Sequence, residues 1–238
     1  MDLRKMFMLL TAISVSQMIA SGAFAATVSG NIKYSGDVPK FQEIKMEADP
    51  ICLSKHTSPV YPETLVLGAD NAMANVFVRV KSGLAQQNYA PPAEPVLLDQ
   101  LGCHYNPHVF GVMVGQSLKI LNSDGTLHNV HILSKVNPEV NLAMPQFRKE
   151  TEKKFDKEEF MFPLKCDVHP WMESWCAVMS HPFFNVTKED GKFSIANLPA
   201  GTYDIEAWHE KLGTQTQTVT VTADENKEVS FTFSRPSK

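Results

Sequence analysis

The feature that most constrains the fold is the alternation of apolar and polar residues in the last 55 residues of the chain. Apolar residues occupy every second position in 193–195, 203–207, 219–221 and 229–233. Because successive side chains of a β-strand point to opposite faces, this period of two predicts strands with one buried and one solvated face. Asp190-Gly191, between two apolar runs, is typical of a hairpin turn. The pattern predicts a β-sandwich.

Strand-like segments continue through the rest of the chain. They are rich in β-branched and aromatic residues or alternate in polarity, and they lie at 27–34, 75–80, 118–121, 128–133 and 160–166. The charged stretch 146–159 is predicted to be a short helix or a solvated loop without a functional role. Hydrophobic residues make up 43% and charged residues 20%, which suits a folded globular chain. We therefore predict an all-β fold.

The first 25 residues have the pattern of a secretory signal. Arg4 and Lys5 precede a mostly apolar stretch at 6–20, and Ala23-Phe24-Ala25 supplies the small residues of a cleavage site. We predict cleavage after Ala25 and a periplasmic or secreted protein with no membrane span thereafter; an uncleaved anchor is the alternative. Cleavage changes the formal charge from −4 to −5, which argues weakly against nucleic-acid binding.

A run of potential metal ligands stands at 166–172. Cys166, His169 and Met172 place a thiolate, an imidazole and a thioether within seven residues. This mixture of soft and borderline ligands suits copper better than Zn²⁺, Ca²⁺ or Mg²⁺. A blue copper site needs two histidines and one cysteine in a rough trigonal plane, with a weak, distant methionine. A second histidine must therefore come from elsewhere in the chain.

Strand periodicity selects His128 as the missing ligand. His128, Val130 and Ile132 share one face of a predicted strand, whereas His131 lies on the other face. If Val130 and Ile132 point into the core, His128 points inward with them. Cys166 likewise shares the apolar face of a later strand. His128 and Cys166 can therefore meet at one end of a sandwich.

The two segments together resemble the cupredoxins. LHNVHI at 127–132 and CDVHPWM at 166–172 carry the resemblance, which covers roughly residues 95–179 and is greatest to amicyanin, then to plastocyanin. The resemblance implies a Greek-key β-sandwich that holds one type 1 (blue) copper ion. It also implies the activity of the family, which is outer-sphere electron transfer.

The same resemblance implies a role for each ligand. His128 would be the inner imidazole ligand and Cys166 the thiolate. His169 would be the imidazole ligand near the surface, and Met172 the axial thioether. Asn129 matches the asparagine that braces the ligand loop of the family by hydrogen bonds.

An electron carrier needs a redox protein partner, such as a cytochrome c or a dehydrogenase or reductase. Pro170 and Trp171 flank the expected surface ligand His169, and could form an apolar docking patch for this partner. The alternative is that Trp171 packs against the loop and shields the metal.

A second resemblance lies outside the cupredoxin part. The segments at 28–32, 75–78 and 187–208 resemble a carboxypeptidase-regulatory-like, or transthyretin-like, β-sandwich. This implies a discontinuous domain, with a first part at 26–85 and a second part at 180–238, into which a cupredoxin at 95–179 is inserted. The alternative is three sequential pieces packed as one unit. Domains of this kind are scaffolds or interaction modules.

The remaining cysteines and histidines give weaker signals. Cys52 and Cys103 are predicted to form a disulfide, because export implies an oxidising compartment. Cys176 is predicted to be a buried free thiol. His104 and His108 lie close in sequence, but no third ligand is obvious near them, so a second metal site is not favoured.

We therefore expect a mononuclear copper electron carrier. One alternative is a copper-binding or delivery protein, and another is an extracellular scaffold whose copper is structural. An enzyme is not expected, because a multicopper oxidase or copper nitrite reductase needs further histidine-rich motifs, and the sequence contains no H-x-H or H-C-H.

Overall fold

The computed structural model describes residues 25–235, so the predicted signal at 1–25 lies, except for Ala25, outside the described residues. The described chain is almost entirely β-structure, which confirms the predicted all-β fold. The elements are, in chain order, β1 Ala26–Ser35, α1 Pro50–Ser54, a 3₁₀ turn Ala69–Asn71, β2 Phe77–Ser82, β3 Val96–Gln100, β4 Tyr105–Asn106, β5 Val109–Met113, β6 Leu118–Asn122, β7 His128–Ile132, β8 Val140–Met144, β9 Glu150–Lys153, β10 Glu159–Lys165, β11 Glu173–Met179, β12 Phe184–Val186, β13 Lys192–Leu198, β14 Gly201–His209, β15 Gly213–Val221, β16 Asn226–Glu228 and β17 Phe231–Ser234. Within residues 25–235, no helix has the length and apolar character needed to cross a membrane.

The central part of the chain folds into a sandwich of two sheets. One sheet has the strand order β5-β11-β10-β7-β8, and the other has the order β4-β3-β6-β9. Alternate residues, such as Leu118 and Ile120 on β6, are buried in the core of this sandwich. The antiparallel register of β10 and β7 places Lys165 opposite His131. Cys166, which follows Lys165, therefore lies beside the start of β7.

A flanking sandwich is built from both ends of the described chain. β1 lies in a sheet with β13, β16 and β17, and β2 lies in a sheet with β12, β14 and β15. Val28 on β1 is paired with Ile195 on β13, and both side chains lie in an apolar core that belongs to this sandwich alone. The chain thus enters the flanking sandwich, leaves it for the central one and returns. The exact domain boundaries stay a prediction.

The connection between β1 and β2 packs partly against the central sandwich. Ile44, Met46, Cys52 and Val60 contact the core of the central sandwich. The sequence assigns the whole of 26–85 to the flanking sandwich. The difference arises because this connection is long enough to cross from one sandwich to the other and return.

Within this connection, the short helix α1 is stabilised by a capping side chain at its start and by a disulfide to the central sandwich. The Asp49 side chain accepts hydrogen bonds from the backbone N–H groups of Ile51 at 2.8 Å and Cys52 at 3.2 Å, which caps the helix. The predicted disulfide between Cys52 and Cys103 is confirmed, and it ties α1 to the central sandwich. Cys176 is buried and free, as predicted.

One prediction for the central sandwich is wrong. The sequence predicts a short helix or a solvated loop at 146–159, but part of this stretch forms β9, which pairs antiparallel with β6. β9 lies at the edge of its sheet, and the side chains of Glu150 and Glu152 are exposed. Charged side chains suit an edge strand because they discourage pairing with other chains.

The two sandwiches meet at a largely aromatic interface. Phe77 of the flanking sandwich is buried against Val109 and Met179 of the central one. Arg79 on β2 lies 3.4 Å from the ring centroid of Phe160 on β10. These buried contacts stabilise one arrangement of the two sandwiches.

Candidate metal centre

The structure brings three of the four predicted ligands into direct proximity. His128 begins β7, Cys166 follows β10 directly, and His169 lies in the turn between β10 and β11. One ligand atom of each residue lies within 4.8 Å of those of the other two. The Nδ1 atoms of His128 and His169 are 2.9 Å apart, and Cys166 Sγ is 3.8 Å from His169 Nδ1. A single ion among these atoms would contact all three residues.

Met172, the fourth predicted ligand, comes from the same turn. Its side chain is 1% exposed and packs in the same apolar cluster as Cys166. Two backbone hydrogen bonds close the turn: Met172 N–H donates to His169 O at 2.9 Å, and Cys166 N–H donates to Met172 O at 3.2 Å. The turn therefore presents its three side chains in a fixed arrangement.

The alternation of β7 explains why His128 joins this group and His131 does not. His128, Val130 and Ile132 are fully buried. His131 points the other way, where its ring contacts the exposed carboxylates of Glu139 at 3.0 Å and Asp167 at 3.2 Å. The face chosen from the sequence is therefore the face that points to Cys166.

Two carboxylates contact the imidazole nitrogens that point away from Cys166. His128 Nε2 lies 3.0 Å from Asp124 Oδ2, and His169 Nε2 lies 3.0 Å from Asp49 Oδ2. Asp124 has a fully buried side chain and also accepts hydrogen bonds from two backbone N–H groups, at 2.6 and 2.7 Å. An ionised carboxylate only accepts, so each ring donates from Nε2 and turns Nδ1 towards the Cys166 side.

The sequence analysis missed both carboxylates. Asp124 precedes His128 by four residues, in the turn before β7, so a search for acidic residues near the ligands would have found it. Asp49 lies 120 residues from His169 and has no spacing that connects it with the ligand motif. Only the packing of α1 over the site reveals its role.

The surrounding charges favour a bound cation. Burial lowers the pKa of His128, but hydrogen bonds with Asp124 and Cys166 outweigh this effect and raise the pKa to about 9. Burial raises the pKa of Cys166, but hydrogen bonds with His128, Asn129 and His169 outweigh it and lower the pKa to about 7. The site therefore stabilises a thiolate and a positive charge beside it. Such a donor set, with a thioether nearby, fits a soft metal ion such as copper.

Asn129 braces the ligand loop, the role that the resemblance implies for it. Its Oδ1 accepts hydrogen bonds from Cys166 Sγ at 3.3 Å and from Asp167 N–H at 2.8 Å. Its Nδ2 donates to Asn141 at 2.7 Å and to Asp167 at 3.1 Å. These bonds link the start of β7 to the residues on either side of the thiol.

The expectation that His169 lies near the surface is wrong, since this residue is only 2% exposed. Asp49 Oδ2 and Cys52 Sγ cover its Nε2 at 3.0 and 3.5 Å. Trp171 covers another side, with its ring centroid 5.1 Å from that of His169 and its Nε1–H donating to Cys103 O at 3.1 Å. The disulfide-linked α1 segment thus closes the end of the sandwich, and Trp171 packs against the loop.

His104 and His108 belong to a different cluster. His108 Nε2 lies 2.6 Å from Glu210 Oε1, and its Nδ1 lies 3.0 Å from the backbone oxygen of Glu173. Glu63 Oε2 is 3.7 Å from His104 Nδ1. Because both ring nitrogens of His108 donate hydrogen bonds, they offer no lone pair to a metal. His108 instead forms a buried ion pair with Glu210 of the flanking sandwich.

Part of the flanking sandwich is similar to a known domain family. The model for the carboxypeptidase regulatory-like domain matches residues 183–234, which contain β12 to β17. No curated protein matches the chain.

Among solved structures, several amicyanins are similar to this chain. A Cu(I) form of one amicyanin mutant aligns at 20% identity over 41% of this chain and 97% of that one, with a TM-score of 0.32. An oxidised form of a second amicyanin mutant gives the same identity, coverage and TM-score. The Cu-containing nitrite reductase of Thermus scotoductus SA-01 aligns at 19% identity over 42% of this chain and 26% of that one, with a TM-score of 0.33.

These identities and TM-scores are low, so the nature of the central sandwich rests on its own strand order and on the residues at its closed end. The chain thus combines two β-sandwiches, and residues 183–234 of the flanking one are similar to the carboxypeptidase regulatory-like domain.

Proposed function

We propose that this protein is an exported carrier that holds one type 1 copper ion and passes single electrons between redox partners. The observation that carries the proposal is the convergence of His128, Cys166 and His169 within 4.8 Å at one end of a β-sandwich. Met172 is buried in the same cluster and would supply the axial thioether. The bound copper would supply the one-electron redox couple.

The contribution of the chain is to keep these ligands in one geometry. Asp124 and Asp49 fix the orientation of the two imidazole rings from behind, and Asn129 fixes the thiol loop. Ligands that are held from several sides move little when the charge of the site changes. A small rearrangement favours fast outer-sphere electron transfer.

The burial of His169 affects where a partner can approach. Trp171 is half-buried and contacts the His169 ring, and the neighbouring Pro170 is exposed. A partner that docks over Pro170 and Trp171 would be separated from the ligands by one aromatic side chain. We therefore place the docking site of a redox protein, such as a cytochrome c, a dehydrogenase or a reductase, at these two residues.

The enclosure of the site favours a carrier over the other candidates. His128, Cys166, His169 and Met172 are each at most 3% exposed. A delivery protein has to release its copper to a partner, and an enzyme has to admit a substrate to its metal. Electron transfer requires neither step, so it is the function that this enclosed site serves best.

The test is to produce residues 26–238, add Cu(II) and record the visible absorption spectrum beside that of a Cys166→Ser variant. We expect an intense blue thiolate-to-copper band in the parent and none in the variant, because the band requires the Cys166 sulfur. A colourless or faintly coloured parent would reject the type 1 assignment and favour the delivery and scaffold alternatives.

A further inference from the structure

The residues that follow Met172 are tied to His108, just before β5. The backbone oxygen of His108 accepts hydrogen bonds from the Ser174 hydroxyl at 2.9 Å and from Trp175 N–H at 2.8 Å. In the other direction, the His108 ring donates from Nδ1 to the backbone oxygen of Glu173 at 3.0 Å. Hydrogen bonds with a single residue thus fix the end of the ligand turn.

The flanking sandwich in turn holds His108. The ring donates from Nε2 to Glu210 Oε1 at 2.6 Å, and the side chains of His108 and Glu210 are only 5% and 2% exposed. Glu210 lies in the turn between β14 and β15. The contact therefore spans the two sandwiches, and the function proposed above makes no use of it.

Charge strengthens this contact. Burial lowers the pKa of His108, but the hydrogen bond with Glu210 and the negative charge of that carboxylate outweigh burial and raise the pKa. Burial raises the pKa of Glu210, but the hydrogen bond with His108 and the positive charge of the ring outweigh it and lower the pKa. Lys211 Nζ lies 3.0 Å from the other oxygen of Glu210, and Glu63 Oε2 lies 3.8 Å from His108 Nδ1. A hydrogen bond between ionised groups is about twice as strong as one between neutral groups, so the pair holds the ring in one orientation.

We propose that Glu210 and His108 are positioning residues for Met172, through which the flanking sandwich controls the distance between the axial thioether and the copper ion. The inference rests on the proposed function and deepens it. Glu210 acts through the His108 ring, and His108 acts through the backbone of Glu173. Only this hairpin of the flanking sandwich takes part, and its apolar core remains a scaffold.

The axial methionine is the ligand whose position depends most on the chain. A blue copper site binds its methionine weakly and at a long distance, so the bond to the metal does little to hold the side chain. Hydrogen bonds within the turn, with His169 and Cys166, hold the Met172 backbone on one side. The contacts of His108 hold the following residue on the other side. Since the axial ligand tunes the reduction potential, a change at Glu210 should reach the copper ion.

The other three ligands are braced from different directions. Asp124 and Asp49 each lie 3.0 Å from one of the two imidazole rings, and Asn129 accepts a hydrogen bond from the ligand thiol at 3.3 Å. Loss of the Glu210 charge should therefore alter the axial contact and leave the thiolate and both imidazoles in place. The expected signature is a blue band that persists while the reduction potential changes.

The test compares Glu210→Gln with Glu206→Gln in residues 26–238. Both carboxylates are buried in the flanking sandwich, but Glu206 is paired with Arg79 at 2.8 Å and with Lys81 at 2.6 Å. Glutamine keeps the shape and one acceptor oxygen but removes the negative charge. In copper-loaded Glu210→Gln we expect an intense blue band, altered electron paramagnetic resonance parameters and a raised reduction potential, because Cu(II) loses more than Cu(I) when a donor moves away. Glu206→Gln should match the parent.

A second measurement needs no copper. In the metal-free protein, hydrogen exchange at the Trp175 amide, which donates to His108 O, should accelerate about tenfold in Glu210→Gln and stay at the parent rate in Glu206→Gln. His108→Ala should accelerate it at least as much. Adding Glu210→Gln to His108→Ala should change neither the exchange rate nor the potential further, because Glu210 acts through the ring.

An unchanged potential or an unchanged exchange rate in Glu210→Gln would overturn the proposal. Equal changes in Glu206→Gln, or additive effects of the His108 and Glu210 substitutions, would overturn it as well. If His108→Ala does not fold, the comparison of the two glutamine variants decides alone. A parent without a blue band would reject the proposed function, and exchange at Trp175 would then decide whether Glu210 and His108 position the turn.

Discussion

The central and flanking sandwiches differ in what they bury. Of the sixteen buried polar or charged residues in the described chain, twelve lie between Gln100 and Ser174, and only four lie after them. The flanking sandwich is packed around an apolar cluster. Burying a polar group costs free energy unless it finds partners, and Asp124, His128, Asn129 and His169 find theirs in one another and in Cys166 at the candidate metal centre. We therefore expect the flanking sandwich to act as a scaffold and the central one to carry the chemistry.

Carboxylates of the two regions also differ in their partners. Glu206 of the flanking sandwich is paired with Arg79 at 2.8 Å and Lys81 at 2.6 Å, both permanent cations. At the candidate metal centre, Asp49 and Asp124 instead face imidazole rings. Glu206 pairs closely with two permanent cations, whereas the closest side-chain partner of Asp49 and of Asp124 is an imidazole ring, and the Lys55 ammonium lies 3.8 Å from Asp124.

The largest expected effect is a loss of stability in the flanking sandwich that leaves the candidate metal centre unchanged. Ile205→Ala removes a fully buried side chain from the flanking core. We expect the free energy of unfolding to fall by about 2–5 kcal/mol, because a cavity is added to the lost transfer free energy. The blue absorption band of the copper-loaded protein should not change. Denaturant unfolding and absorption spectra of the folded protein measure the two quantities.

Ile132→Ala is the matched change in the central sandwich, since Ile132 is fully buried on the same strand face as His128. A similar loss of stability should accompany a shifted or weakened band in this variant. If Ile205→Ala altered the band as strongly as Ile132→Ala, the division into scaffold and site would be wrong.

Local periodicity explains which parts of this division the sequence could predict. The period of two on β7 selected His128 over His131, because the two residues lie on opposite faces of one strand. The same pattern predicted the strands of the flanking sandwich. Asp49 and the burial of His169 could not be predicted, because they depend on α1 packing across a long separation in sequence. β9 was missed because its charged side chains lie on a sheet edge, where burial imposes no apolar pattern.

The next effect concerns the carboxylates behind the ligands. Asp124→Asn replaces an acceptor of two backbone N–H groups and of the His128 ring by an amide. We expect copper affinity to fall about 10–100-fold, because the imidazole loses both orientation and basicity. The reduction potential should rise, since a weaker donor stabilises Cu(II) less. Chelator competition and redox titration measure both changes.

Glu139→Gln provides the control, since its carboxylate also contacts a histidine, His131, at 3.0 Å, but on the solvent side of β7. Copper affinity and potential should stay at the parent values in this variant. An equal loss in both variants would mean that general surface charge, and not the contact behind the ligand, controls the site.

A carboxylate away from the ligands tests whether every buried polar group of the central sandwich serves the metal. Glu159 accepts hydrogen bonds from the Ser134 hydroxyl, from Lys135 N–H at 2.6 Å and from Asn137 N–H at 3.1 Å. Burial alone would raise the pKa of Glu159, but these bonds outweigh it and lower the pKa from 4.5 to about 2. The folded state therefore favours the ionised form.

The smallest expected effect follows from that preference. A lowered pKa in the folded state means that ionised Glu159 stabilises the fold above pH 4.5, and that this stabilisation is lost as the pH falls from 4.5 towards 2. Glu159→Gln should cost about 1–2 kcal/mol of unfolding free energy at pH 7 and much less at pH 3. Unfolding of the metal-free proteins at both pH values measures the difference, with the exposed Glu228→Gln change as a neutral control. The copper spectrum should not change, because Glu159 contacts the loops 134–137 and no ligand. A pH-independent cost would reject the explanation from the ionised carboxylate, and an altered copper spectrum would place Glu159 with the site.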